Sequence, residues 1–141
     1  MEFNNILVPV AGSEADEEAM KLACQLLNKK GKGEICAVCV IAVERTLPLD
    51  AEIKHEIRKA EAILAYVEGI AKGQGCGIET DLLQAREVAP AIVNEAVERE
   101  VDLILMGVKY ERRFGKFSLG DVVPYLLKNA HCHVILYHHS T

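Results

Sequence analysis

Phe3-Asn4-Asn5-Ile6-Leu7-Val8-Pro9-Val10-Ala11-Gly12-Ser13 sets the architecture of this chain. The run Ile6-Leu7-Val8 is apolar without alternation, the mark of a strand covered on both faces. Gly12-Ser13 then turns the chain. Ser13 with Asp16 three residues later makes an approximate capping box for a helix. That helix places Ala15, Ala19, Leu22, Ala23 and Leu26 on one face at i, i+3, i+4 spacing. Lys29-Lys30-Gly31-Lys32-Gly33 ends it, with cations in the last turn and glycine as the stop.

The same alternation continues outward. Glu34 to Val43 reads as a second buried strand. A polar connection with Pro48 leads to a helix from about Ala51 to Ala71, striped by Ile53, Ile57, Ala60, Leu64, Val67 and Ile70-Ala71. Gly73 to Gly77 stops it. Ile78 to Leu83 alternates enough for a half-exposed edge strand. Pro90 suits the first turn of a third helix, with Ile92, Ala96 and Val97 facing inward. Val101 to Met106 is the cleanest buried strand, and Gly107 to Leu119 an irregular basic loop. Gly120 to Ala130 reads as a last helix and Val134 to Tyr137 as a last strand. Five strands alternating with four helices predict an α/β fold: a doubly wound, five-stranded parallel sheet with helices on both faces, in one domain over residues 1–141.

The 141 residues suit one domain, and half are apolar. No apolar run reaches the roughly 18 residues of a membrane helix, so no membrane association is expected. The N-terminus carries no basic region followed by a signal core, and a cytoplasmic location is the expectation. A net charge of −5 gains no counterion-release affinity, so nucleic acid is not an expected partner. Lys109, Arg112, Arg113 and Lys116 oppose that balance locally, as a solvated loop or as an anion-attracting lip. Five cysteines cannot all pair internally, and cytosolic disulfides are rare. Cys36 and Cys39 form a C-x-x-C, but on a strand they point to opposite faces. They read as small buried hydrophobes.

In an open parallel sheet, ligands sit beyond the carboxyl ends of the strands at the switch point. The walls there are Pro9 to Ser13 and the turn from Met106-Gly107. The N-terminus of the last helix, at Gly120-Asp121, aims N–H groups at the same crevice, a ready phosphate site. The pattern suits a nucleotide.

On Ile6-Leu7-Val8-Pro9-Val10 with Gly12-Ser13, Leu103-Ile104-Leu105-Met106-Gly107, Leu119-Gly120, and Asn129-Ala130-His131-Cys132 leading into Val134-Ile135-Leu136, the chain resembles the universal stress protein family over essentially its whole length. The resemblance implies an adenine nucleotide alpha hydrolase-like sheet, a homodimer and a stress-response setting. It implies ATP binding in some branches and none in others. It places the cofactor-binding positions at Pro9, Val10, Ala11, Val40, Met106, Gly107, Lys109, Gly120, Asp121 and Val122.

The ATP-binding branch resembles Gly-x2-Gly-x9-Gly-Ser/Thr. The frame is kept from Gly107 through position 110 to Gly120, but its contents differ. Tyr110 replaces a glycine, and Asp121 and Val123 stand at hydroxyl positions. Ala11 replaces the acid after the first strand. A tyrosine neither lets backbone approach a phosphate nor adopts φ > 0 cheaply. Asp121 is expected to cap the last helix with its own carboxylate, taking N–H groups a phosphate needs. It also places like charge there, worth roughly 4 kcal/mol at about 4 Å and an effective dielectric of 20. Ala11 cannot hydrogen-bond a base or ribose. No cofactor is therefore expected, with ATP or AMP as the alternative ligand, held by the basic lip.

Other constellations are weaker. His131, Cys132, His133, His138 and His139 crowd the C-terminus, but on a strand His131 and His133 share one face while Cys132 takes the other. Zinc needs convergent ligands, so no metal site is expected. Ser13 lacks a histidine and acid partner. Asp16, Glu17 and Glu18 read as helix first-turn charges, His55 as solvated, and Glu98, Glu100 and Asp102 as surface charge. No enzymatic activity is expected, with slow hydrolysis of a bound nucleotide as the third reading. The last strand is a short apolar edge, a hazard unless paired. A homodimer through Val134, Ile135, Leu136 and Tyr137 is expected, with further protein partners as an alternative.

Overall fold

The computed structural model describes residues 1–109, 111–113, 116–118 and 120–138. Five strands form one parallel sheet: β1 (Asn5–Pro9), β2 (Glu34–Ala42), β3 (Glu79–Ala85), β4 (Leu103–Val108) and, last in the chain, β7 (His133–His138). Their order is β3-β2-β1-β4-β7. Four helices connect them: α1 (Ala15–Leu26), α2 (Lys54–Gly73), α3 (Val88–Glu98) and α4 (Val122–Asn129). The doubly wound architecture expected from the alternation is present.

The unbroken apolar runs have the predicted cause. Side chains alternate across a strand, so both faces of a central strand must be apolar. Ile6, Val8, Leu103 and Leu105 pack on one face with Ala19, Met20 and Ala23 of α1 and Ala60, Leu64 and Val67 of α2. Leu7, Val38 and Ile104 pack on the other with Ile92, Val93 and Ala96 of α3 and Leu126 of α4. Each fully buried aliphatic side chain contributes about 1.5–3 kcal/mol. Cys36 belongs to the second cluster and Cys39 to the first, on opposite faces as expected.

Three expectations are corrected. The segment after β4 is not wholly irregular: β5 (Glu111–Arg113) and β6 (Lys116–Ser118) pair antiparallel as a separate two-stranded ribbon. Val97 does not face inward; it is 54% exposed, because the core-facing arc of α3 ends at Ala96. Asp102 is not simple surface charge. Its carboxylate accepts the N–H groups of Asn4 at 2.9 Å and Asn5 at 2.8 Å, tying the start of β1 to the start of β4.

The sheet opens at one place. β1 pairs with β2 over five residues, ending at Pro9↔Val38, but with β4 only at Ile6↔Leu103 and Leu7↔Ile104. Beyond that point the two strands part. The first turn of α1 fills the gap: a Cβ built on Gly107 would lie 2.6 Å from the Ala15 carbonyl oxygen and 2.7 Å from the Ala15 Cβ. These are backbone and near-backbone atoms that cannot swing aside. Gly107→Ala should therefore lower stability by about 1–3 kcal/mol, read as a shift of the urea midpoint at unchanged slope.

Candidate functional site

The crevice at the switch point is built from three pieces of backbone. The first is the turn after β1. Val10 ends the strand, with its N–H donating to the Val38 carbonyl at 2.9 Å. Gly12 takes φ +83°, and a Cβ there would also meet Ile63 of α2 at 3.0 Å. This curl turns three successive N–H groups, of Ala11, Gly12 and Ser13, onto one point, a concavity suited to an anion.

That point is already filled. The Asp16 carboxylate, through a single oxygen, accepts all three N–H groups at 3.2, 2.8 and 3.2 Å. The Ser13 hydroxyl oxygen accepts the Ala15 N–H at 3.0 Å. Ser13 and Asp16 each bond within the turn, as their spacing suggests, but Glu14 holds the N-cap without a side-chain capping bond, so Ser13 is not the helix cap and meets the N–H of residue 15 instead. The grouping of Asp16 with Glu17 and Glu18 is corrected. Asp16 is 4% exposed, whereas Glu17 and Glu18 reach Lys21 at the surface. Burial outweighs the three donors and pushes the Asp16 carboxyl above the ordinary carboxylate range. Its charge also bears on Cys39, whose thiol is raised first by burial and then by Asp16.

Beside this turn lies a cavity of about 250 Å³ lined by Ala11, Cys39, Val40, Ile41, Glu56, Lys59 and Ile63, among others. It brings together Ala11 and Val40 of the expected site. The connection that flanks it is pinned from β3. The Arg86 guanidinium donates to the carbonyls of Glu44 at 2.6 Å and Leu47 at 2.8 Å. The Gln84 amide donates to those of Leu49 and Ala51 at 2.8 and 2.9 Å. Neither pin was legible from composition, since each depends on strand register.

The second piece is the end of β4. Met106 is half-buried against the α3–α4 side of the core. Lys109 reaches back across the crevice to Glu14, Nζ to Oε2 3.6 Å, with both side chains largely exposed. The pair neutralises the one cation of the expected site while adding little stability. Tyr110 and Leu119, and the side chains of Arg112, Arg113 and Lys116, lie outside the described residues, as does His139.

The third piece is the N-terminus of α4. Gly120 takes φ +72°, and Asp121 holds the N-cap position at φ −86°, ψ −22°, but its side chain makes no capping hydrogen bond. The expected self-capping by Asp121 is therefore incorrect. The helical backbone at this residue departs from the extended conformation in which a cap side chain reaches forward to the helix N–H groups. Asp121 and Val122 instead line a second cavity, of about 390 Å³, with Glu87 to Pro90 at the start of α3 and with Tyr125. Two carboxylate side chains, Glu87 and Asp121, thus flank the opening where two helices begin. Asp121 and Val122 share this cavity, while Ala11 and Val40 share the one beside the first turn.

A larger cavity of about 440 Å³ lies at the opposite, amino end of the strands, lined by Ala96, Val97, Glu100, Val101, His131 and Cys132. His133 packs its ring edge-on against Phe3, centroids 5.8 Å apart. Among the described residues, no three or more His, Cys, Asp or Glu side chains are grouped to hold a metal ion.

A parallel sheet split at its switch point, with helices on both faces, defines a doubly wound α/β domain with a crevice at the carboxyl ends of its strands. Sequence comparison agrees and narrows it. Residues 2–138 match the Universal stress protein family, and the chain belongs to that family. It is 30% identical to a universal stress protein of Methanocaldococcus jannaschii, over 95% of this chain and 81% of that one. A universal stress protein from Archaeoglobus fulgidus, solved in complex with dAMP, superposes with a TM-score of 0.73 at 22% identity, covering 96% of this chain and 98% of that one. A universal stress protein solved in complex with cAMP gives 0.76 at 21% identity, covering 99% and 100%. These likenesses establish the shared fold.

Asp16 supplies a direct test of the first turn. Asp16→Ala removes the shared acceptor of three part-buried N–H groups and should cost about 1 kcal/mol, while Asp16→Asn keeps an acceptor and costs less. A carboxyl held with a raised pKa stabilises the fold while protonated. That contribution is complete below the ordinary carboxylate value and is lost as pH rises through the raised one. Urea titrations from acid to neutral pH should show wild-type stability falling relative to Asp16→Asn over that window.

Proposed function

We propose that this chain is a cytoplasmic, non-enzymatic stress-response module that works as a homodimer and has weakened or lost ATP binding. The observation that carries this reading is the Asp16 carboxylate seated in the N–H concavity of Ala11, Gly12 and Ser13. It takes the donors an anionic ligand would use and places a negative charge beside the cavity. Two further features act in the same direction. Lys109 has Glu14 as a partner, and Asp121 with Glu87 lines the cavity at the start of α4. A triphosphate entering this crevice meets like charge and spent donors.

A second reading is a sensor of AMP or ATP. It is favoured by the open cavity beside Ala11 and Val40, which has Lys59 in its wall, and by the complexes of related folds with dAMP and cAMP. Thermal-shift measurements separate the two. A ligand at a hundredfold excess over its dissociation constant stabilises by roughly 2.7 kcal/mol. Wild type should show no shift with millimolar Mg-ATP. The combined variant Asp16→Asn, Tyr110→Gly, Ala11→Asp and Asp121→Ser should gain one. A shift of wild type with AMP but not with ATP would establish the sensor reading instead.

Dimerisation is supported by the sheet edge. β7 is hydrogen-bonded to β4 on one side only, through six register pairs from Leu103↔His133 to Val108↔His138. Val134, Ile135, Leu136 and Tyr137 remain half-buried, and the preceding α4 exposes Leu127 at 60%. An apolar edge of this kind needs cover. Light scattering should give twice the 15.5 kDa chain mass, and Leu136→Lys should shift the population to single chains. A monomeric wild type would overturn the dimer.

A further inference from the structure

Helix α3 closes with a Schellman motif. The Glu100 N–H donates to the Val97 carbonyl at 3.1 Å, and the Val101 N–H to the Ala96 carbonyl at 3.1 Å. The residue at the turning point must take a left-handed backbone, a position glycine usually fills. Here it is Glu100, at φ +53°, and among the described residues no other non-glycine residue has a positive φ. A Cβ is costly in that conformation. Backbone strain of this kind collects at ligand sites.

The strained turn carries the Glu100 side chain to the wall of the cavity of about 440 Å³ at the amino end of the strands. Ala96, Val97 and Val101 line it from the same helix end, and His131 and Cys132 from the turn before β7. The volume lies within the range of small-molecule sites, and the walls are mostly apolar. Val97 stays largely exposed there. Arg99 and Asp102, on either side of Glu100 in the chain, are engaged elsewhere. The Arg99 guanidinium donates to Glu95 at 2.6 Å, Glu79 at 2.9 Å and Asp81 at 3.3 Å. The Asp102 carboxylate accepts the Asn4 and Asn5 N–H groups. Among the described residues, no hydrogen bond or ion pair engages the Glu100 carboxylate. The cavity thus joins an apolar wall to one unpaired negative charge.

We propose that this cavity binds a small aliphatic amine. Its hydrocarbon chain lies against Val97, Val101 and Cys132, and its ammonium meets the Glu100 carboxylate at the rim. Charge selects the class. A carboxylate on the same chain would face Glu100 as like charge, and an alcohol would gain only the weaker bond of a neutral donor. The site lies at the opposite end of the sheet from the crevice beside Ala11, so its occupancy is independent of any nucleotide.

The test maps amide NMR shifts of the whole chain against n-hexylamine, hexanoate and hexanol at about pH 8, where an alkylammonium is charged. Hexylamine should move the amides of residues 96–101 and 131–132 and saturate at millimolar concentration. Hexanoate and hexanol should bind roughly tenfold more weakly or less. Nα-acetyl-lysine amide, the same ammonium on a polar backbone, should also bind roughly tenfold more weakly. Glu100→Gln should lose the preference for the amine. Glu100→Gly should lose it too while melting roughly 2–4 °C above wild type, so that lost affinity is not a lost fold. Equal binding of hexanoate or hexanol, wild-type affinity in either Glu100 variant, or no saturable shifts at the cavity would overturn the proposal. Equal binding of the lysine amide would overturn the free amine as ligand in favour of a protein lysine.

Discussion

The Asp16 carboxylate holds the turn on which the crevice depends. Three N–H groups converge because Gly12 adopts a positive φ, and one buried oxygen satisfies all three. This contact fixes where α1 begins, and so brings Ala15 against Gly107 and closes the gap between β1 and β4. A buried carboxylate without such donors would be expensive. With them, the desolvation cost is reduced but not cancelled, and the Asp16 carboxyl stays raised.

The same contact changes the electrostatics of the switch point. The fold supplies a helix N-terminus, a backbone concavity and a cation, the ingredients of a phosphate site. Here the concavity holds an internal anion, the cation pairs with Glu14, and the helix entrance carries Asp121 beside Glu87. Negative side chains therefore stand beside each of these features. A fold by itself does not decide its ligand.

The two sheet edges are handled differently. On β3, Glu79 and Asp81 ion-pair with Arg99 at 2.9 and 3.3 Å, and Glu95 joins at 2.6 Å. Charge on an edge strand discourages pairing with another chain. β7 presents Val134 to Tyr137 instead. One sheet thus carries a charged edge and an apolar edge.

Periodicity alone determined the sheet, its four covering helices, the edge position of β3 and the burial of Cys36 and Cys39. These follow from local spacing, because a strand covered on both faces must read as an unbroken apolar run. The Ser13–Asp16 spacing was legible as a local contact, but the N-cap itself fell to Glu14. Other features came only from tertiary structure. Lys109 meets Glu14 across 95 positions of chain, and Arg86 reaches carbonyls four decades earlier in the numbering. Sequence assigned Asp121 a cap it does not make, because capping depends on φ and ψ at that residue. Spacing along the chain sets which face a residue occupies; only the folded sheet sets which distant residue it meets.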